Sequence, residues 1–224
     1  MTRNIAIDGP SGAGKSTLAR ALASKFGFSY VDTGAIYRTL GLAVLQAGTS
    51  SRDEAAVSEI LPSIAVDLQY DEHGSQRMLL GGKDVTDEIR TPQSSITASN
   101  IAAMAAVRAS LLSMQREIAQ RYDVVMDGRD IGSVVLPDAG LKIYLTADVE
   151  MRARRRFNEL CEKGEDATFE TVLTDMKHRD KQDTSRAVSP LVRAADAVLA
   201  DTTELSFDES LELLSKIVRE RFGI

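Results

Sequence analysis

The stretch Gly9-Pro10-Ser11-Gly12-Ala13-Gly14-Lys15-Ser16-Thr17 carries chemistry that can be read from residue types and spacing alone. A glycine, four residues, a second glycine, a lysine and a serine form a pattern whose small residues let backbone N–H groups wrap a row of phosphates. A helix that begins where the loop ends adds a favourable dipole for the anion. In such a frame Lys15 is expected to reach the β- and γ-phosphates of ATP, and Ser16 to ligate Mg²⁺. A plain glycine turn before a helix is the bland alternative, and the placement between an apolar run and a helical pattern weighs against it. The loop implies a triphosphate donor site and leaves the acceptor open.

Arginines carry the next signal. Arg38, Arg108, Arg129, Arg152, Arg155, Arg156, Arg179 and Arg186 are expected at element ends and in loops, and arginine is suited to bidentate grip on phosphate. Transfer to a second phosphate needs many cations and no strong base, because a phosphate monoester is already mostly dianionic near neutral pH. Transfer to an alcohol would favour a carboxylate aimed at the hydroxyl. The arginine surplus therefore tilts toward a nucleotide-like acceptor, although any one of these arginines read alone also fits a solvated helix face.

The elements that must position these groups follow from hydrophobic patterning. Asn4–Asp8 reads as a buried strand, Lys15–Phe26 as a helix, Tyr30-Val31 as a short strand and Thr33–Gln46 as a helix ending near Gly48. Repeated strand and helix imply a parallel sheet. Residues 61–92 change character: Ile64–Tyr70 alternates, Asp71–Gly74 supplies turn chemistry and Met78–Leu80 ends at Gly81-Gly82, which together read as a small antiparallel insert. Helical patterns then run to Tyr122. Asp123–Met126 and Leu141–Leu145 read as buried strands, Asp148–Lys163 as a charged helix, Ala197–Ala200 as the last core strand and Phe207–Phe222 as the closing helix.

Composition narrows the classes. The 224 residues suit one domain with lobes, and 27 Lys plus Arg against 33 Asp plus Glu give a charge of −6, so no global positive field exists to attract nucleic acid or an anionic membrane. No apolar run reaches the length of a membrane span, and the N-terminus enters a strand pattern with no signal-peptide core. These features imply a cytoplasmic protein. A single cysteine, Cys161, excludes an intrachain disulfide, and two histidines, His73 and His178, leave no zinc set. Cys161 reads as a partly buried helix residue, and Met104, Leu111 and Met114 as core.

Four ordered motifs then make a resemblance specific. Gly9 to Lys15, Asp32-Thr33-Gly34-Ala35-Ile36-Tyr37-Arg38, Asp127-Gly128-Arg129-Asp130-Ile131-Gly132, and Arg179-Asp180, Asp183 and Arg186–Leu191 resemble bacterial cytidylate kinases. The likeness spans essentially the whole chain and includes Glu88–Thr91 and Arg152–Arg156. It implies an α/β P-loop NTPase fold in three layers, with a central parallel sheet, the small antiparallel insert and a helical lid. It implies a core lobe of residues 1–33, 98–150 and 187–224, a monophosphate-binding lobe of 34–97 and a lid of 151–186. The reaction implied is transfer of the γ-phosphate of ATP to CMP or dCMP, by a monomer with Mg²⁺ and no nucleic-acid or membrane partner.

Carried over residue by residue, the resemblance makes Arg38, Arg129 and Arg186 the grip on the acceptor phosphate, with Thr33 beside it. Ser99, Arg108 and Asp130 read the cytosine, and Arg179 with Asp183 hold the sugar. Lys15, Arg129, Arg155 and Arg186 would act on the transferring group, and Arg152 and Arg156 would join Gly9–Thr17 around ATP as part of a closing lid, or else face water. Asp127 ends a strand and either orients the metal's hydration shell or caps the next turn and holds Arg129. Asp8 either fixes the glycine loop or serves as a cap. Thr33 stands where the family often has serine, and Lys181-Gln182 where some relatives carry an extra arginine. Another small-acceptor kinase and a nucleotide-dependent switch remain the alternatives, the latter weakened by the lack of an Asn-Lys-x-Asp guanine-reading motif; a nucleic-acid-remodelling ATPase fits the acidic, short chain poorly.

Overall fold

The computed structural model describes residues 2–162 and 164–224. Along the chain, β1 (Asn4–Asp8) feeds α1 (Lys15–Phe26) and β2 (Ser29–Asp32) feeds α2 (Thr33–Gln46); α3 (Glu54–Ile60) leads into β3 (Val66–Tyr70), β4 (Gln76–Leu80) and β5 (Lys83–Asp84). Next come α4 (Pro92–Ile101), α5 (Ala105–Arg121), β6 (Val124–Gly128), a π-helical turn at Ile131–Val135 and β7 (Leu141–Thr146). The chain closes with α6 (Val149–Glu162), α7 (Phe169–Ser185), β8 (Val198–Asp201) and α8 (Phe207–Phe222). β2, β6, β1, β7 and β8 form one parallel sheet in that order, and β3, β4 and β5 form a separate antiparallel sheet.

The period-two alternation of β1 explains the layers. Ile5 and Ile7 face one side, where Leu18, Leu22 and Leu214 of α1 and α8 cover them. Ala6 faces the other, where Ile36, Val107 and Met126 close the second core. Both faces of the central strands are thus covered, which is why they read as continuous apolar runs. Leu22 is fully buried, and its replacement by alanine is expected to cost about 3 kcal/mol of stability.

Local signals set the ends. Gly27 closes α1 in the left-handed region at φ 70°, while the Asp32 and Thr91 side chains accept from Ala35 and Ser94 N–H to start α2 and α4. Ser206 and Glu209 form a reciprocal capping box on α8.

The sheet and the insert match expectation, with three differences of detail. The helical stretch ending near Tyr122 is two helices, α4 and α5, separated at Ala102–Met104, and α4 runs unbroken across the 97/98 lobe boundary. α7 is a full helix whose apolar residues, Val172 and Met176 among them, pack on Ala153 of α6 to form a small core of their own; its polar second half hid it from periodicity. Cys161 is exposed on α6, where a partly buried position was expected, and Lys163, the expected end of that helix, lies outside the described residues. No single helix among the described residues is long and apolar enough to cross a membrane.

Candidate functional site

The glycine loop joins β1 to α1. A Cβ on Gly9 would sit 1.9 Å from the Leu145 carbonyl oxygen, so only glycine lets the loop lie this close to β7. Lys15, at the first position of α1, is buried and donates from Nζ to the Pro10 carbonyl at 2.6 Å. Burial, and after it the positive charge of Arg129, pulls the pKa of Lys15 well below the ordinary lysine range. Ser16 Oγ donates to Asp127 Oδ2 at 2.9 Å, and the Tyr30 hydroxyl donates to Oδ1 at 2.8 Å. Burial, then the charge of Asp32, raises the Asp127 carboxyl above its usual range.

Asp127 therefore faces Ser16, as a metal-shell carboxylate would. It does not hold Arg129, whose Nε instead donates to Asp183 Oδ2 at 2.7 Å. The serine hydroxyl and the carboxylate are hard oxygen donors of the kind Mg²⁺ prefers. Among the described residues no three His, Cys, Asp or Glu side chains converge as a cage, so an ion at this pair would take its other ligands from phosphate and water. Asp8 is a cap: its two carboxylate oxygens accept from Ile131 and Gly132 N–H, each at 2.7 Å, and anchor the π-helical turn after β6. Burial raises its pKa to about 6 in spite of those bonds.

Beside the loop opens a cavity of about 470 Å³ lined by Ser11, Gly12 and Gly14–Thr17 on one side and by the expected acceptor residues on the other. Thr33, Arg38, Ser99, Arg108, Arg129, Asp130, Arg179, Asp183 and Arg186 all line it. They come from α2, α4, α5, the segment after β6, α7 and its C-cap Arg186, and Arg38 and Arg179 sit inside helices, not at the element ends or loops expected. Most of the arginines rest on carboxylates. Arg38 Nη2 meets Asp32 Oδ2 at 3.0 Å, Arg108 is closely paired with Asp130, and Arg186 Nη2 lies 3.5 Å from Asp130 Oδ1 without a hydrogen bond. Burial, then the neighbouring guanidiniums, lowers the pKa of Arg179 and Arg186. The Thr33 hydroxyl donates to the Asp127 carbonyl at 2.7 Å, tying α2 to β6, and Ser99 Oγ donates to Gln182 Oε1 at 3.2 Å, tying α4 to α7.

The arginines of the expected lid divide. Arg155 and Arg156 line the cavity, the first donating to the Thr202 carbonyl at 2.6 Å and the second to Glu159 at 3.0 Å. Arg152 does not line it. Its Nε and Nη1 donate to the Ala147 and Ser11 carbonyls, both at 2.8 Å, and its Nη2 pairs with Asp180 at 2.7 Å. All arms of that guanidinium are engaged, so it ties α7 to the glycine loop. Gly9, Pro10 and Ala13 are buried and do not line the cavity.

Asp32 and Tyr37 were missed as site residues. Asp32 carries a readable signal, an Asp directly before a helical pattern; Tyr37, whose ring lies 5.6 Å from the Arg108 guanidinium carbon, had none beyond its motif.

Comparison with known proteins shows the family and the fold. The model of the cytidylate kinase family matches residues 5–220. A cytidylate kinase of Caldicellulosiruptor bescii is 47% identical over 220 residues, covering 96% of this chain and 97% of that one. One from Bacillus licheniformis is 44% identical over 217 residues, covering 97% and 96%. An uncharacterized protein from Eubacterium ventriosum shares the fold at a TM-score of 0.54 and 14% identity, over 98% of this chain and 100% of that one. With a phosphate loop and a cavity of clustered arginines on one parallel sheet, and with relatives aligned nearly end to end, the chain belongs to the cytidylate kinase family of ATP-dependent nucleoside monophosphate kinases.

Proposed function

We propose that the cavity holds ATP on the Gly9–Thr17 side and CMP or dCMP on the arginine side, and that the γ-phosphate passes in line between them to give ADP and CDP or dCDP. The observation that carries this reading is the state of the carboxylates. Asp32, Asp127, Asp130, Asp183 and Glu159 line the cavity, and each is hydrogen-bonded or ion-paired to a neighbour. None of these is without a partner, and the buried ones are held by Ser16, Tyr30 or an arginine, whereas a dianionic phosphate needs no general base.

Lys15 follows the β- and γ-phosphates, and Arg129, Arg155 and Arg186 spread the charge of the transferring group. Ser16, with Asp127, would hold Mg²⁺, which supplies further neutralisation of the phosphates when bound. Arg38, Arg129 and Arg186 take the acceptor phosphate beside Thr33; Nη2 of Arg186, buried without a hydrogen bond, has a donor to offer an incoming oxygen. Asp130 and Arg108, with Ser99, face the donor and acceptor groups of cytosine, and Arg179 with Asp183 take the sugar. Arg156 closes on the donor together with Arg155, while Arg152 supports the donor loop through the Ser11 carbonyl.

Initial rates with CMP, dCMP, UMP, AMP and GMP at fixed ATP and Mg²⁺ test the reading. CMP and dCMP are expected to be preferred over UMP, because uracil sets an acceptor against Asp130. Equal kcat/KM for CMP and UMP would remove this account of base choice, and ATP hydrolysis indifferent to any monophosphate would favour a switch.

A further inference from the structure

The edge strand β2 has β6 on one side and, among the described residues, no strand on the other. At its last residue the missing neighbour is replaced by a side chain from the antiparallel insert. Asp32 N–H donates to Gln76 Oε1 at 2.7 Å, and Gln76 Nε2 donates back to the Asp32 carbonyl at 3.2 Å. One amide thus satisfies both outward backbone groups of Asp32, as a paired strand would. The carboxylate of the same residue does two further things: Oδ1 accepts from Ala35 N–H to start α2, and Oδ2 holds Arg38 Nη2 at 3.0 Å. A Cβ on Gly34 would lie 2.9 Å from Arg38 Nη1 and 3.0 Å from Asp32 Oδ1, so glycine at this position is what leaves room for the pair.

We propose that Gln76 is a positioning residue for the acceptor phosphate: by clamping the Asp32 peptide it aims the Asp32–Arg38 pair into the cavity. The insert then serves the site through one side chain at the start of β4, forty-four positions along the chain from the residue it holds. This rests on the reading of Arg38 as a ligand of the acceptor phosphate. With the clamp gone, Asp32 keeps its side-chain partners but its backbone is free to rotate, and Arg38 must be ordered by the incoming nucleotide. That cost falls on acceptor binding and leaves the donor loop untouched.

The test is steady-state kinetics of the full chain with Gln76→Met, Gln76→Ala, Tyr70→Phe and Arg38→Ala, with thermal melts to verify folding. Gln76→Met keeps the length of the side chain and removes both hydrogen bonds. It is expected to raise KM for CMP by about three- to tenfold, the scale of one or two hydrogen bonds, with KM for ATP and kcat within about twofold. Gln76→Ala should match it. Tyr70→Phe deletes the other polar link from the hairpin to β2, the hydroxyl donated to the Tyr30 carbonyl at 3.1 Å, and should leave KM for CMP unchanged. A Gln76→Met enzyme with unaltered KM for CMP, or with KM for CMP and ATP raised alike, overturns the clamp, as does an effect seen with alanine but not with methionine. If Arg38→Ala itself spares KM for CMP, the reading of Arg38 fails and the clamp fails with it. If Arg38→Ala raises KM and Gln76→Met does not, only the clamp is lost. A double variant whose KM is no worse than that of Arg38→Ala supports action through the arginine.

Discussion

The donor and acceptor halves of the cavity are built on opposite plans. The donor half is nine consecutive residues at one strand-to-helix junction, and its geometry comes from glycines, a helix start and a lysine that rests on its own loop carbonyl. The acceptor half draws on α2, α4, α5, the segment after β6, and α7, and most of its cations rest on carboxylates. A contiguous loop needs only local geometry to present its N–H groups. A distributed site must hold several positive groups at close range before any anion arrives, and ion pairs with Asp32, Asp130 and Asp183 do so. On the proposed assignment the acceptor phosphate would replace part of those pairs, and base and sugar contacts would then be conditional on the phosphate being seated.

The sharpest break of this contrast is Lys15→Ala, which is expected to lower turnover by roughly a hundredfold or more while circular dichroism remains that of the folded chain; near-normal turnover would remove Lys15 from the chemistry. Next in size, Arg186→Ala should lower kcat/KM for CMP by about ten- to a hundredfold, the scale of a lost charge-assisted hydrogen bond, with ATP affinity by titration little changed. A loss confined to ATP binding would reverse the assignment of halves. Asp130→Asn should narrow the preference for CMP over UMP by about tenfold, read from competing substrates in one reaction. The smallest effect concerns protons. Because Lys15 has a lowered pKa in the free protein, part of the population is neutral toward alkaline pH, and triphosphate raises that pKa again. ATP binding above neutral pH should therefore take up a fraction of a proton and weaken as pH rises. Calorimetry in buffers of different ionisation enthalpy reads the uptake, and Lys15→Met should abolish it.

The donor half was legible in the sequence because its residues are adjacent and their spacing has one physical meaning. So were the strands, since burial on both faces writes itself as apolar runs such as Ile5-Ala6-Ile7. The acceptor half was not legible from spacing: Arg38 and Arg186 are far apart in the chain, and only resemblance brought them together before the fold did. The sequence also could not choose partners. Asp127 faces Ser16 and Tyr30 while Asp183 holds Arg129, and nothing in residue type separates these aspartates. Arg152 reads like its neighbours Arg155 and Arg156, yet it is buried and tied to two carbonyls and Asp180. The break between α4 and α5 lacks a glycine or proline to mark it.

The engaged carboxylates have a consequence for idle turnover. A kinase that holds ATP without its acceptor risks spending it on solvent, and the usual agent of that loss is a carboxylate able to draw a proton from a nearby water. Here each acidic side chain on the cavity wall already accepts from a serine, a tyrosine or an arginine. On the proposed reading, discrimination between acceptor and water would be written into the wall itself, by pairs formed within the protein.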